Sequence, residues 1–251
     1  VCIPRINCNF YFLVPGLGRM SIASKNVLVI GGYGLIGESV FRWLEASGHM
    51  VTGLGRDISV ARRVLPDREW IKRDLRGLVD AAAWSGILDG FEIVVNCSGA
   101  LQDGGSDDLE AVHHSAIAAL SSVCADKKIQ LFQVSAVGAS ENSDTNFLAT
   151  KGRGDAAIRS SGAKYQICRP GLVLAQNVYG GTALLRMLSA FPVLQPMAMP
   201  SAQIQTVSVD DVASFVVHAV NGKLPDNFEC DVVEGETSHL GRGPRAVPRG
   251  T

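Results

Sequence analysis

The chain has 251 residues, 47% hydrophobic and 19% charged, which is room for one large α/β domain or a domain with a small lobe, and too apolar a middle for disorder. A net charge of −1 gives no electrostatic reason for nucleic acid or an anionic membrane as partner, and no apolar run approaches the ~20 residues a membrane helix needs. The six cysteines form no close pair with metal or redox spacing, so they read as free thiols in a reducing compartment, here the cytoplasm.

Residues 1–24 stand apart. They hold no acid, their basic residues are Arg5 and Arg19, and the apolar run from Phe10 to Gly18 is broken by Pro15. Ser21-Ile22-Ala23 could pass for a signal-peptidase site, and an acid-free basic start also suits an organelle transit segment. The reading favoured here is an upstream extension, with Met20 as the natural start, that buries too little apolar surface to become ordered.

Asn26 to Ile30 is a β-rich apolar run that stops at Gly31-Gly-Tyr-Gly-Leu-Ile-Gly37. From Glu38 to Ser47 the spacing predicts a helix, with Ile36, Val40, Trp43 and Leu44 on one face and Gly48 as its stop. Strand, glycine turn and helix is the context of a nucleotide-binding loop. Backbone N–H groups at a helix N-terminus suit a pyrophosphate, and a Cβ at Gly31 or Gly34 would hold the phosphates away. Met50 to Gly55 is the next strand, and Arg56 follows it nineteen residues past Gly37. That is where an acid holds the ribose 2′-OH of NAD, or an arginine accommodates the 2′-phosphate of NADP. Arg56, with Arg62 and Arg63 close behind, favours NADP(H) over NAD(H); the neighbouring Asp57 is the alternative, doing the acid's job.

Trp70 to Leu75 reads as a third strand ending in Asp74, Ala81 to Leu88 as a helix, and Glu92 to Cys97 as a fourth strand stopped by Ser98-Gly99-Ala100. A polar loop to Asp108 leads into an amphipathic helix from Leu109 to Ala125, on which one of His113 and His114 faces solvent and the other packs. Gln130 to Val134 is a strand ending at Ser135, Asn146 to Ser161 a helix despite Gly152 and Gly154, and Lys164 to Cys168 a strand ending at Arg169-Pro170-Gly171. The alternation argues a Rossmann-type doubly wound parallel sheet. The period breaks from Gln176: a loop at Tyr179 to Thr182, a short helix to Leu188, a helix from Asp210 to Val220, and one more candidate strand from Phe228 to Val233. The expected division is an extension over 1–24, an NAD(P)-binding domain over 25–175, a small C-terminal lobe over 176–234, and a disordered tail or reading-frame artefact over 235–251.

These residues together resemble the short-chain dehydrogenase/reductase superfamily in its extended or atypical branch, over about Lys25 to Val233. Within it the chain looks most similar to the group holding the nucleotide-binding accessory subunit of respiratory complex I and NmrA-like redox-sensing regulators. The resemblance implies cofactor contacts from Gly31, Tyr33, Gly34, Leu35, Ile36 and Gly37, adenine contacts from Asp74-Leu75, and a strand end at Ser98, Gly99 and Ala100 lying along the cofactor. It implies that Ser135 and Lys151 are the active-site serine and lysine, and that Pro170-Gly171 turns beside the nicotinamide. One departure stands out. The family's Tyr-x-x-x-Lys is here Phe147-Leu-Ala-Thr-Lys151: Lys151 can still hold the nicotinamide ribose, but Phe147 cannot transfer a proton.

Two functions follow from this pattern. One is an NAD(P)-dependent oxidoreductase, or an epimerase/dehydratase-like enzyme, with atypical proton chemistry on a small-molecule substrate. The other is a non-catalytic NADP(H)-binding redox sensor, or a structural subunit of a protein complex. No His/Cys/Asp/Glu group has metal-ligand spacing.

Overall fold

The structure is a computed structural model, and it describes residues 5–7, 23–100, 108–175, 203–234 and 238–239. The first four strands are β1 (Arg5–Asn7), β2 (Asn26–Ile30), β3 (Met50–Gly55) and β4 (Trp70–Lys72). β5 (Ile93–Asn96), β6 (Gln130–Val134), β7 (Tyr165–Pro170) and β11 (Phe228–Val233) complete the main sheet. Among the described residues its order is β4-β3-β2-β5-β6-β7-β11-β1, with every pair parallel. The chain walks outward from β2 to β4, returns to β5 on the other side of β2, and walks outward again. The strand order therefore reverses between β2 and β5, where ligands bind in this architecture.

Alternation within one strand shows how both faces are covered. On β2, Val27 and Val29 face a cluster with Val40, Phe41 and Leu44 of α1 (Leu35–Ala46) and with Val212, Phe215 and Val216 of α6 (Val209–Val220). Leu28 and Ile30 face the other cluster. It is built from Trp84 of α3 (Ala81–Trp84), Ile117 and Leu120 of α4 (Ala116–Lys127), and Ile158 of α5 (Asn146–Ser160). A strand buried on both sides is apolar at every position, as Asn26–Ile30 is after its first residue.

The structure refines three of the expected elements. The helix anticipated from Leu109 starts there, passes through a π-helical turn, Ala111–Ser115, and becomes regular again at α4. The helix anticipated to Leu88 stops at Trp84, where Ser85 takes an extended ψ of 132° and Gly86 a φ of 78°. α5 keeps its two glycines because backbone approaches there: a Cβ on Gly152 would lie 2.2 Å from the Ser140 carbonyl carbon, and one on Gly154 2.0 Å from the His113 carbonyl oxygen. The second contact locks α5 against the π turn.

Two stretches outside the expected Rossmann boundaries join the main sheet or its layers. β11 pairs with β7 along five residues, and α6 packs on α1. Arg5–Asn7, from the stretch anticipated to be disordered, pairs with Asp231–Val233 at the sheet edge. A short pair β8 (Leu172–Leu174) and β10 (Thr206–Ser208) runs parallel beside the sheet, and β9 (Gln203–Ile204) pairs antiparallel with β12 (Ser238–His239). The anticipated loop at Tyr179, the helix to Leu188 and the tail from 240 lie outside the described residues. No helix among the described residues is long and apolar enough to cross a membrane.

Candidate cofactor site

A cleft of about 190 Å³ opens at the C-terminal ends of β2, β3 and β5, at the reversal of strand order. Its floor is the glycine loop. Gly31 has a φ of 71° and lies so close to the next strand that a Cβ would meet the Ser98 Cα at 2.9 Å. Gly34 is the residue before α1, and no side chain caps that helix. The first helical hydrogen bond is Glu38 N–H to the Gly34 carbonyl at 2.9 Å, so the amides of Leu35, Ile36 and Gly37 precede it and are free to meet an anion. A Cβ on Gly37 would sit 2.1 Å from the Gly31 carbonyl oxygen, so this glycine preserves the loop itself.

Arg56 lines one end of this cleft with Gly55, Asp74 and Leu75. The carboxylate of its neighbour Asp57 is used inside the protein: it caps α2 (Ile58–Val64) by accepting the Val60 N–H at 3.1 Å and the Ser59 hydroxyl at 2.5 Å. Those bonds, Ser59 first, hold the exposed Asp57 carboxyl below its usual range. Asp74 is similarly engaged, accepting from the backbone and guanidinium of Arg76. The Tyr33 ring lies over Gly55, where a Cβ would be 2.2 Å from it, and its hydroxyl accepts the Asp57 N–H at 3.2 Å. Tyr33 thus lies toward the Arg56 end rather than across the loop amides. Lys72 and Arg73, unremarked in the sequence, add positive charge here: Arg73 lines the cleft, and Lys72 lines an adjoining pocket with Arg56. Their placement directly before Asp74 was the available signal.

At the other end, Asn96 shapes the turn. Its carbonyl oxygen accepts the N–H and hydroxyl of Ser98, while its amide donates to Gln133 at 2.8 Å. Ser98, Gly99 and Ala100 then line the cleft together with Cys97, whose thiol burial pushes up to about 12. The Ala100 N–H donates to His113 Nε2 at 3.1 Å, which makes that nitrogen the unprotonated one; Nδ1–H then donates to Thr150 Oγ at 3.0 Å. Burial, with Lys151 nearby, drives the His113 pKa down to about 3, so the imidazole is neutral. His114, its neighbour, points outward to Glu110.

α5 starts at Thr145, whose hydroxyl caps Leu148 N–H, and this start sets Phe147 and Lys151 on one face. The Lys151 ammonium lies 5.9 Å from the Phe147 ring centroid, beside Gly99, and donates to the Val134 carbonyl at 3.2 Å. The Phe147 ring meets His113 edge-on at 5.4 Å. Lys151 is only 6% exposed, and burial lowers its pKa against the opposing pull of Asp155. An ammonium has three protons to donate, and one carbonyl takes one of them. Ser135 is close by in the chain fold but its hydroxyl donates away, to Asp155. Pro170 and Gly171 are packed in backbone: the Pro170 carbonyl accepts Val137 N–H, and a Gly171 Cβ would lie 2.2 Å from the Gln205 carbonyl.

These features fit a dinucleotide: an uncapped helix start over a loop with no room for side chains, and a buried ammonium farther along with donors to spare. A protein-family model described as NAD(P)H-binding matches residues 31–223. The chain belongs to this family. Solved structures agree on the fold. The Bordetella bronchiseptica enzyme WbmG in complex with NAD superposes with a TM-score of 0.71 at 16% identity, covering 88% of this chain and 76% of that one. The Thermus thermophilus UDP-glucose 4-epimerase complex with NAD gives 0.67 at 21% identity, covering 86% and 80%. A search of curated proteins found no match to the sequence. The likeness places the fold among NAD-binding epimerase structures. Among the described residues, no group of His, Cys, Asp and Glu could hold a metal ion.

Proposed function

We propose that this is an NAD(P)-dependent oxidoreductase or epimerase/dehydratase-like protein of the short-chain dehydrogenase/reductase type, which holds NADP(H) in preference to NAD(H) and has lost the family's phenolic proton donor. The observation that carries the reading is the pairing of two features in one fold: the open amides of Leu35, Ile36 and Gly37 at one point, and the buried ammonium of Lys151 at the other. The amides suit the pyrophosphate and Lys151 the nicotinamide ribose, with Gly31, Tyr33 and Gly34 forming the loop and Ser98, Gly99 and Ala100 a wall, while Pro170 and Gly171 stand outside the cleft's lining. The nicotinamide supplies hydride transfer when bound. Arg56 supports NADP(H), because Asp57 spends its carboxylate on α2 and Lys72 and Arg73 add charge at the same end.

Phe147 occupies the turn of α5 before Lys151, where the resemblance expects the tyrosine. With His113 Nε2 already accepting the Ala100 amide, the neutral imidazole offers no ready replacement acid. This observation favours the second reading, a cofactor-binding sensor or a subunit of a larger assembly in the NmrA-like or complex I accessory branch. A positioned general acid contributes ~10²–10⁴-fold in rate. The expected result is tight cofactor binding with weak turnover of carbonyl substrates, raised by Phe147→Tyr with little change in affinity. A reductase assay on a carbonyl panel decides. Vigorous wild-type turnover that the tyrosine leaves unchanged would show that another group supplies the proton and would remove the sensor reading.

A further inference from the structure

Behind the nicotinamide end of the cleft lies a buried ionic cluster to which the cofactor-site residues are tied. Asp155, one helical turn after Lys151 on α5, has no solvent exposure, and its Oδ2 accepts the Ser135 hydroxyl at 2.9 Å and Arg169 Nη2 at 3.0 Å. Arg169, 2% exposed, also donates to Glu229 at 2.7 Å, and Glu229 is gripped in turn by Arg159. Successive turns of α5 therefore hold successive residues of one strand end: Lys151 donates to the Val134 carbonyl, and Asp155 receives the hydroxyl of Ser135. Because that hydroxyl proton is given to Asp155, Ser135 offers lone pairs to anything else it meets. The cluster is costly to bury. Asp155 Oδ1 and Arg169 Nη1 are left without a partner, and such a pair is weak evidence of a purely stabilising role.

We propose that Asp155 is a positioning residue for the cofactor site, fixing Ser135 as a hydrogen-bond acceptor and holding Lys151 as an ammonium directed at the nicotinamide ribose. This rests on reading the cleft as a nicotinamide-cofactor site. Lys151 is faced by Asp155 on its own helix, by Cys97 after β5 and by His113 in the π turn. Burial raises the Asp155 carboxyl's pKa, and the Arg169 guanidinium and Ser135 hydroxyl that hold its Oδ2 oppose this; with the Cys97 thiol pushed up to about 12 and His113 neutral, the Asp155 carboxylate beside Arg169 is the negative charge facing Lys151, whose own pKa burial lowers.

The test is the pH dependence of NADPH affinity, followed by nucleotide fluorescence from pH 7 to 11. Wild-type affinity should fall where Lys151 loses its proton. Asp155→Asn should move that midpoint at least about one pH unit lower, the low end of what an opposite charge does to a neighbouring group. Asp155→Glu, which keeps the charge, should restore it. A midpoint that Asp155→Asn leaves in place, with or without a uniform loss of affinity, would make Asp155 merely structural and overturn the proposal. Should the single variant not fold, Asp155→Asn/Arg169→Gln takes both charges out together; the lost cation offsets part of the lost anion, so the midpoint should still move lower but by less than in the single variant, and a midpoint that stays in place or rises would overturn the proposal. Carbon-13 NMR of the Lys151 ε-carbon in the cofactor-free protein, assigned with Lys151→Met, reads the same shift directly. A wild type that binds no NADPH at any pH would sink the cofactor reading, while the NMR shift would still decide the role of Asp155.

Discussion

The two ends of the cleft are built by opposite means. The loop end is backbone: Gly31, Gly34 and Gly37 bring amides to the surface, and the residues that form it are neighbours in the chain. The end proposed for the nicotinamide is side chains from distant elements: Ala100 N–H and His113 and Thr150 form one hydrogen-bonded set, Lys151 donates to the Val134 carbonyl, and Ser135 and Arg169 both donate to Asp155. The loop end needs only space, and a single methyl group destroys it. The other end keeps polar groups out of water, and its composition sets both what it can bind and what it costs the fold.

Substitution at the loop end should have the largest effect. A side chain at Gly37 meets backbone that cannot give way, the Gly31 carbonyl at 2.1 Å. Gly37→Val should therefore lower cofactor affinity more than about a thousandfold, roughly 4 kcal/mol, and calorimetric titration reads it. Retained affinity would mean that the loop adapts and that the contrast between the two ends is overdrawn.

Lys151→Met tests the cost of the other end. It should weaken NADPH binding by about a hundredfold or less, because a charge-assisted ribose contact is worth roughly 1.5–3 kcal/mol. It should also stabilise the cofactor-free protein, by about 1–3 kcal/mol, since a buried ammonium with one carbonyl acceptor is replaced by an apolar chain while Asp155 keeps Arg169 as its hydrogen-bonded partner. Urea unfolding of the cofactor-free variant checks this, and a loss of stability would show that the ammonium is better satisfied than its single carbonyl bond suggests.

The same burial makes this end acid-sensitive. His113 has a folded pKa of about 3, against ~6.5 for an unfolded chain. Between these values the unfolded chain binds more protons. The contribution is present in full above pH ~6.5 and is lost as pH falls toward 3. Between pH 7 and 5 the wild type should lose ~2 kcal/mol from this group, to which His49, also lowered by burial, adds in the same direction. His113→Gln keeps an acceptor for the Ala100 amide and should flatten the slope. Denaturant midpoints at several pH values measure it, and an unchanged slope would place the acid sensitivity elsewhere.

The smallest effect is expected from the solvent-exposed Arg56. Arg56→Ala should reduce NADPH affinity about tenfold and leave NADH nearly unchanged, because the 2′-phosphate is the group that the two nucleotides do not share. Paired titrations of both nucleotides read the ratio. Equal losses would take Arg56 out of cofactor discrimination.

The sequence by itself determined what depends on near neighbours in the chain. The alternation of strand and helix, the glycine loop with its helix, and the shared face of Phe147 and Lys151 all follow from periods of two and 3.6 residues and from one turn of helix. Tertiary structure decided the rest. Asp57 and Arg56 are adjacent, and only the start of α2 shows that the Asp57 carboxylate is used as a helix cap. Pattern alone left His113 and His114 interchangeable, until the π turn and the Ala100 amide selected one. Nothing in the sequence singles out Asp155, and Arg169 stands there only as the first residue of a turn; the register of β6, β7 and β11 brings Ser135, Arg169 and Glu229 together, and Asp155 of α5 joins them. Phe228–Val233 read as one more candidate strand in the C-terminal lobe, and it joins the main parallel sheet, because the open edge of β7 supplies the backbone partners that no local pattern encodes.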